Sequence, residues 1–190
     1  MKFNRTTIIF VILSLGLTVI VYVTEIKPEG FNLENKSEQA NEVAKIFPFP
    51  TEEIKQIKIT LNQKVISFEK QGETTSLWQM TQPEKTMASE AAINFLLNLF
   101  PQAEKTLSIP VDAEKKREYG LLETDKSIEI ILKNGHKYQM ILGNPNFDDT
   151  QIYAEVIFPP EINQESAIVL VSKSFQYAIE RDFAEWKQSS

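Results

Sequence analysis

The pattern of apolar and polar positions changes character along the chain. From Ile8 to Val23 there is no period at all. Sixteen uncharged residues, IIFVILSLGLTVIVYV, run together, and Thr6, Thr7 and Thr24 widen the stretch to nineteen. A helix of that length spans about 28 Å, close to the roughly 30 Å hydrocarbon thickness of a bilayer. Lys2 and Arg5 precede it, while Glu25, Lys27 and Glu29 follow in mixed sign. That cation bias places the N-terminus in the cytoplasm and the remainder outside. The apolar core is long for a cleaved signal peptide, and Val-Tyr-Val-Thr-Glu-Ile-Lys-Pro after it offers no small-x-small site. The expectation is an uncleaved single-pass anchor, with membrane lipid as the partner of Ile8 to Val23.

Residues 25–46 are polar and poor in aromatics. Pro28 and Gly30 stop the membrane helix, and Asn35 with Glu38 fits a capping box for a short helix reaching Lys45. Otherwise this segment is a stalk, whose r.m.s. reach as flexible coil is roughly 25 Å. Phe47-Pro-Phe-Pro50 then reads as an extended lead-in.

A period of two follows. Ile54, Ile57, Ile59 and Leu61 predict one strand and Val65, Ile66 and Phe68 another, with Asn62-Gln63 as the turn. Residues 77–80 are short and aromatic, and Pro83 ends them. Over 89–100 the period becomes 3.6: Ile93, Leu96, Leu97 and Phe100 fall at i, i+3, i+4 and i+7. Ala92, Phe95 and Leu99 widen that face, so the helix is expected to be well buried against a sheet until Pro101 closes it. Leu107 and Ile109 predict a short strand, and Asp112 to Glu118 a charged helical turn ending at Tyr119-Gly-Leu121.

Residues 127–133 and 136–142 form the clearest hairpin. A two-residue Asn134-Gly135 turn would set Ile130 opposite Gln139. A three-residue loop with Gly135 left-handed sets Ile130 opposite Tyr138 and Ile128 opposite Met140. The second register gathers the larger apolar set on one face and is the one expected. Residues 152–158 and 167–171 predict two more strands. Residues 174–181 predict a closing helix carrying Phe175, Ala178 and Ile179, with Phe183 and Trp186 packing the tail.

These elements predict an α+β fold: a largely antiparallel sheet with helices packed on one face, preceded by one transmembrane helix. Residues 54–100 and 127–181 each read as strands followed by a helix, which suggests two pseudo-repeats. The domain division is 1–24 for the cytoplasmic tip and anchor, 25–46 for the stalk, and 47–190 for an extracytoplasmic domain.

Charge and composition narrow the function. The chain has 20 basic and 26 acidic residues, and only Lys2 and Arg5 of the charged side chains lie before residue 25. Residues 25–190 therefore carry 18 basic and 26 acidic side chains, net −8, and no basic run interleaves with aromatics. Such a domain repels phosphate backbones, so nucleic-acid binding is not expected. The absence of cysteine removes disulfides, thiolate catalysis, Cys-type zinc sites and a lipoprotein anchor together.

Candidate chemistry is thin. His136, the single histidine, sits beside a hairpin turn with no Ser or Asp at triad spacing. Asn144-x-Asn146-x-Asp148, with Glu155 further on, mimics positions 1, 3, 5 and 12 of a calcium loop. Asp149, however, stands where glycine is needed, and Asx turns around Pro145 explain the composition equally well. Asp112, Glu114 and Glu118 read as a solvated helix face. No acid pair stands in a recognisable glycosidase frame, and no glycine-rich phosphate loop is present. Trp78, Tyr153, Phe158, Phe175 and Trp186 suit core packing or sheet-edge capping better than a groove. The expectation is no enzyme: catalytic residues none, cofactor-binding residues none, metal ligands none.

Several short motifs recur together in a known order. They are Phe47-x-Phe49 with Glu53-Ile-x-x-Ile-x-Ile59, Trp78-x-Met80-x-x-Pro83, the 88–97 helix with Ile93 and Leu96-Leu97, Tyr119-Gly-Leu121, the Gly135 turn, Leu142-Gly143 and Tyr153-Ala154. With the N-terminal anchor, they make the chain resemble the domain of unknown function 4340 family of bacterial membrane proteins. Glu123-Thr124-Asp125 stands where that family commonly has a proline, and Gly72 lies further from Trp78 than in its pattern. The resemblance implies an accessory protein of an ABC-type export system and supplies no catalytic residues. Taken together, a membrane-anchored extracytoplasmic binding or scaffold module is expected, with a membrane-protein partner. An extracytoplasmic hydrolase using a carboxylate pair and a small-ligand sensor are the alternatives.

Overall fold

A computed structural model describes residues 44–72 and 77–188. The predicted anchor at Ile8 to Val23 and nearly all of the stalk lie outside those residues. Among the described residues, no helix is long and apolar enough to cross a membrane.

Nine strands form one sheet: β1 (Ile54–Leu61), β2 (Lys64–Lys70), β3 (Trp78–Gln82), β4 (Thr86–Met87), β5 (Ile109–Pro110), β6 (Ser127–Leu132), β7 (Lys137–Pro145), β8 (Gln151–Ile157) and β9 (Ala167–Ser172). Their order is β4-β3-β2-β1-β6-β7-β8-β9-β5, and every pairing is antiparallel. Two meanders, β1–β4 and β6–β9, thus meet at their first strands, with Ile57 opposite Ile130 and Ile59 opposite Ile128.

The turns follow from local chemistry. Asn62 and Gln63 both have positive φ, 49° and 63°, which closes the β1–β2 hairpin in two residues with Leu61 opposite Lys64. In the β6–β7 hairpin Gly135 has φ 87°, Leu132 donates to the His136 carbonyl, and Ile130 faces Tyr138. That is the bulged register, chosen because it puts Ile128, Ile130, Tyr138 and Met140 on one buried face.

The α+β expectation is overturned. Among the described residues the helices are short: α1 (Glu90–Leu97), α2 (Ala113–Glu118) and α3 (Ser174–Ile179), of eight, six and six residues, beside a nine-stranded sheet. The fold is mainly β. Nor do the helices share a face. On β8, Ile152, Ala154 and Val156 belong to the main core, whereas the alternate residues Tyr153 and Glu155 meet Tyr119 and Lys116 at the end of α2. Strand alternation therefore puts α2 on the opposite side of the sheet. The single strong helical period makes one eight-residue helix, too little to form a covering layer on so wide a sheet.

The core side is closed by several thin pieces. Ile46 donates to the Ala103 carbonyl and Lys105 to that of Ala44, which ties the start of the described chain to the loop after α1. Phe47 and Phe49 sit against Phe100 and Tyr138, with centroids 5.0 and 4.7 Å apart for the closest pairs, Phe47–Phe100 and Phe49–Tyr138. Ser89 caps α1 by accepting from the Ala92 amide. Helix α1 touches α3 and the final 3-10 turn, Phe183–Trp186. Ala92, Ile93, Leu96 and Leu97 are buried, but Phe95 is 43% exposed, against the expectation of a wider buried face. The Arg181 guanidinium covers its ring at 5.4 Å, so its partner is a cation rather than the core. Trp186 is fully buried beside Phe68, 5.1 Å between centroids, and its carbonyl accepts from the Ser89 amide.

Candidate functional site

The feature best suited to holding another molecule is a groove at the end of the sheet where the β1–β2 hairpin turns. Leu61 continues the face of Ile57 and Ile59 by one more alternation but is only half-buried, because the turn carries it past the covering helices. Opposite it, α3 ends at Ile179 and the chain doubles back through residues 180–183. Between them lies a cavity of about 540 Å³ lined by Ile59, Leu61, Val65, Ile66, Pro83, Ile179 and Phe183, with Lys64, Glu180, Arg181 and Asp182 also lining it. A volume of that size exceeds the ~300 Å³ floor for typical ligand pockets.

The charged groups of the groove are mostly occupied. Glu180 accepts from Lys126 Nζ at 2.6 Å and from Gln176 Nε2 at 2.8 Å. Partial burial pushes its carboxyl upward, but those two hydrogen bonds and the lysine charge outweigh it and hold Glu180 below the usual glutamate range. An ionised, doubly bonded carboxylate is poorly placed to act as a general acid. Arg181 donates from Nε to the Ala178 carbonyl at 2.9 Å, and its guanidinium lies over Trp186 at 5.0 Å. The walls are hydrocarbon. The chemistry available is apolar contact edged by charge.

The second feature is the β7–β8 loop, where the calcium-like pattern falls. Its oxygens are spent on its own chain. Asp148 Oδ1 accepts from the Thr150 amide at 3.0 Å and the Thr150 hydroxyl at 2.6 Å; Asn146 Oδ1 accepts from the Gln151 amide at 3.0 Å. The Thr150 hydroxyl, chiefly, holds Asp148 below the usual carboxylate range. Asp149 adopts φ 60° and pairs with Lys173 at 2.5 Å. These are Asx turns. Glu155, the proposed distal ligand, is engaged on β8 by Lys116. Among the described residues no group of three or more His, Asp or Glu side chains is arranged to hold a metal. The loop instead presents Phe147, which is 100% exposed.

The third feature is the arm over the far face of β7 and β8. Asp112 caps α2 by accepting from the Lys115 amide at 2.7 Å. Lys116 Nζ then reaches Glu155 Oε2 at 2.8 Å, although the atoms miss hydrogen-bond alignment and the attraction is Coulombic. The Tyr119 ring stacks on Tyr153 at 4.1 Å, and burial followed by the Glu118 charge pushes its hydroxyl above the usual range. The Asn144 amide donates to the Tyr119 carbonyl at 2.8 Å. A Cβ on Gly143 would stand 2.2 Å from that same carbonyl, so only glycine admits the arm. The sequence motifs Tyr119-Gly-Leu121 and Leu142-Gly143 therefore meet in space.

The remaining candidates are scattered. His136 is half-buried at its turn, its Nδ1 3.3 Å from Asn134 Nδ2. Asp112, Glu114 and Glu118 are exposed, with Glu118 bonded to Lys115 at 2.7 Å, which raises the lysine's pKa. Trp78, Phe158, Phe175 and Trp186 belong to the core. Sequence reasoning missed the groove because its walls come from three separated segments; the one local signal was Leu61, an apolar residue at a strand end with Lys64 as its cross-strand neighbour.

These features define a mainly β domain with an apolar groove at one sheet end. No family model matches the chain, and no curated protein or solved structure matches it either.

Proposed function

We propose that the chain is a membrane-anchored binding or scaffold module acting outside the cytoplasm, as an accessory subunit or assembly factor of a membrane complex such as an ABC-type exporter. The observation that carries this reading is the groove: a hydrocarbon-walled concavity whose nearby carboxylate, Glu180, is already bonded to Lys126 and Gln176. Such a surface holds an apolar side chain of another protein and offers little to bond-breaking chemistry. The uncharged Ile8 to Val23 stretch and the cations before it supply the tether and its direction.

A photo-crosslinking residue placed at Leu61 in the full chain, in its native membrane, tests the proposal. Crosslinks to protein from position 61, and none from a control at exposed Lys85, are the expected result. A chain that never crosslinks at either position, or a C-terminal tag found only on the cytoplasmic side, would overturn it.

A further inference from the structure

The groove has a candidate occupant within the same sequence. Strand β1 ends at Leu61, and β6 begins beside that end, because Thr60 faces Ser127. Strand β7 runs back the other way and reaches the same end, since Ser127 faces Ile141 and β7 continues to Pro145. The β1–β2 turn and the β7–β8 loop therefore project from one end of the sheet, their centres three strand spacings or about 14 Å apart.

One of these projections is a hole and the other a knob. Phe147 leaves its entire side chain in water on a loop pinned by the Asp148–Thr150 and Asn146–Gln151 hydrogen bonds, so it cannot be dismissed as a fraying tip. The charges are complementary. Lys173 answers Asp149 within its own chain and Lys126 answers Glu180, which leaves Asp148 beside the knob. At the groove, Arg181 is engaged by the Ala178 carbonyl and the Trp186 ring, and Lys64 stands at the hairpin end as the cation that enters no salt bridge among the described residues.

We infer that the groove receives Phe147 of a second copy of this chain, with Asp148 meeting Lys64 beside the groove. A two-fold axis normal to the sheet and passing between knob and hole exchanges them. Each protomer then gives one Phe147 and accepts one, which makes a closed, self-complementary dimer rather than an open fibre. The inference rests on reading the groove as a protein-binding surface and names its partner.

Full-length chain, purified alone in detergent, is compared by sedimentation with Phe147→Asp and Leu61→Asp, each first shown by circular dichroism and thermal melting to be folded. The expected result is a concentration-dependent dimer whose dissociation constant rises roughly tenfold or more in either variant. Mixing the two variants restores association, because one knob and one groove in the mixed pair remain intact. A wild-type chain that is monomeric throughout, a dimer indifferent to both substitutions, or variants that fail to complement would each overturn the inference. If crosslinking from position 61 still captures a different membrane protein, the broader proposal stands and only the self-association falls.

Discussion

The two meanders share a core side and differ on the other. In β1–β4 the outward positions are Gln56, Lys58, Thr60, Val65, Ser67, Glu69, Gln79 and Thr81, polar but for Val65 and none of them buried. In β7–β9 the corresponding face is covered by the α2 arm, and Glu155 and Ile168 on it are 4% and 0% exposed. Burial shows the contrast as a loss of alternation. Along β8 Ala154, Glu155 and Val156 are buried in succession, and along β9 so are Ala167, Ile168 and Val169. Strict alternation marks a sheet with one wet face; its failure marks a sheet covered on both.

The seam between the halves is where the comparison can be broken hardest. Ile130 is 1% exposed and lies between Ile57 on β1 and Tyr138 on β7. Ile130→Ala should cost about 3–4 kcal/mol in stability, the usual range for a large aliphatic truncated in a packed core. Denaturant unfolding should remain a single transition shifted to lower midpoint, since both meanders lean on this residue. Two separated transitions would show instead that the halves fold independently.

A smaller effect should fall on the second half alone. In Gly143→Ala the new Cβ meets the Tyr119 carbonyl and the Leu121 side chain, neither of which can swing away freely. The register of β7 against β8 already shifts between Leu142 and Pro145 to admit the arm. The expected cost is about 2–3 kcal/mol from overpacking. Hydrogen exchange should quicken over 113–125 and leave β1–β3 protected. A variant with unchanged melting and exchange would mean the arm does not lie on Gly143 in solution.

Much of this architecture was readable before any coordinates, and the unreadable part has physical reasons. The Gly135 bulge was legible because one register collects four large apolar side chains and the other does not. The Asn62-Gln63 turn was legible because it depends on neighbours a few residues away. Strand β4 was harder, because two residues cannot display a period, whereas Leu107 and Ile109 did point to β5. The position of α2 was invisible for a different reason. Its residues AEKKRE show no apolar stripe, and it is held by Lys116 to Glu155 and by glycine contacts across more than twenty residues of sequence. Phe95 misled because an apolar residue on a helix was assigned to the core, when Arg181 from a remote turn covers it. The groove had only Leu61 as a weak local signal and the Phe147 knob had none, since neither a half-buried leucine nor an exposed loop phenylalanine is unusual alone.

The smallest predicted effect separates how the arm is held from how it is shaped. Lys116 is 27% exposed in its side chain and Glu155 only 6%, so water reaches the pair from the lysine side. Full burial would make a broken pair cost several kcal/mol; partial exposure lets solvent and salt recover much of that. Lys116→Met should therefore cost about 1–2 kcal/mol and loosen the arm without unfolding β1–β4. The paired change Lys116→Met with Glu155→Gln should lose less than Lys116→Met alone, because the stranded carboxylate is gone. Melting temperatures of the single and double variants decide it. If the double variant is the less stable, the Glu155 carboxylate is stabilised by something other than Lys116; if it recovers, the Tyr119–Tyr153 stack and the Gly143 contact hold the arm and the lysine serves to neutralise a buried acid.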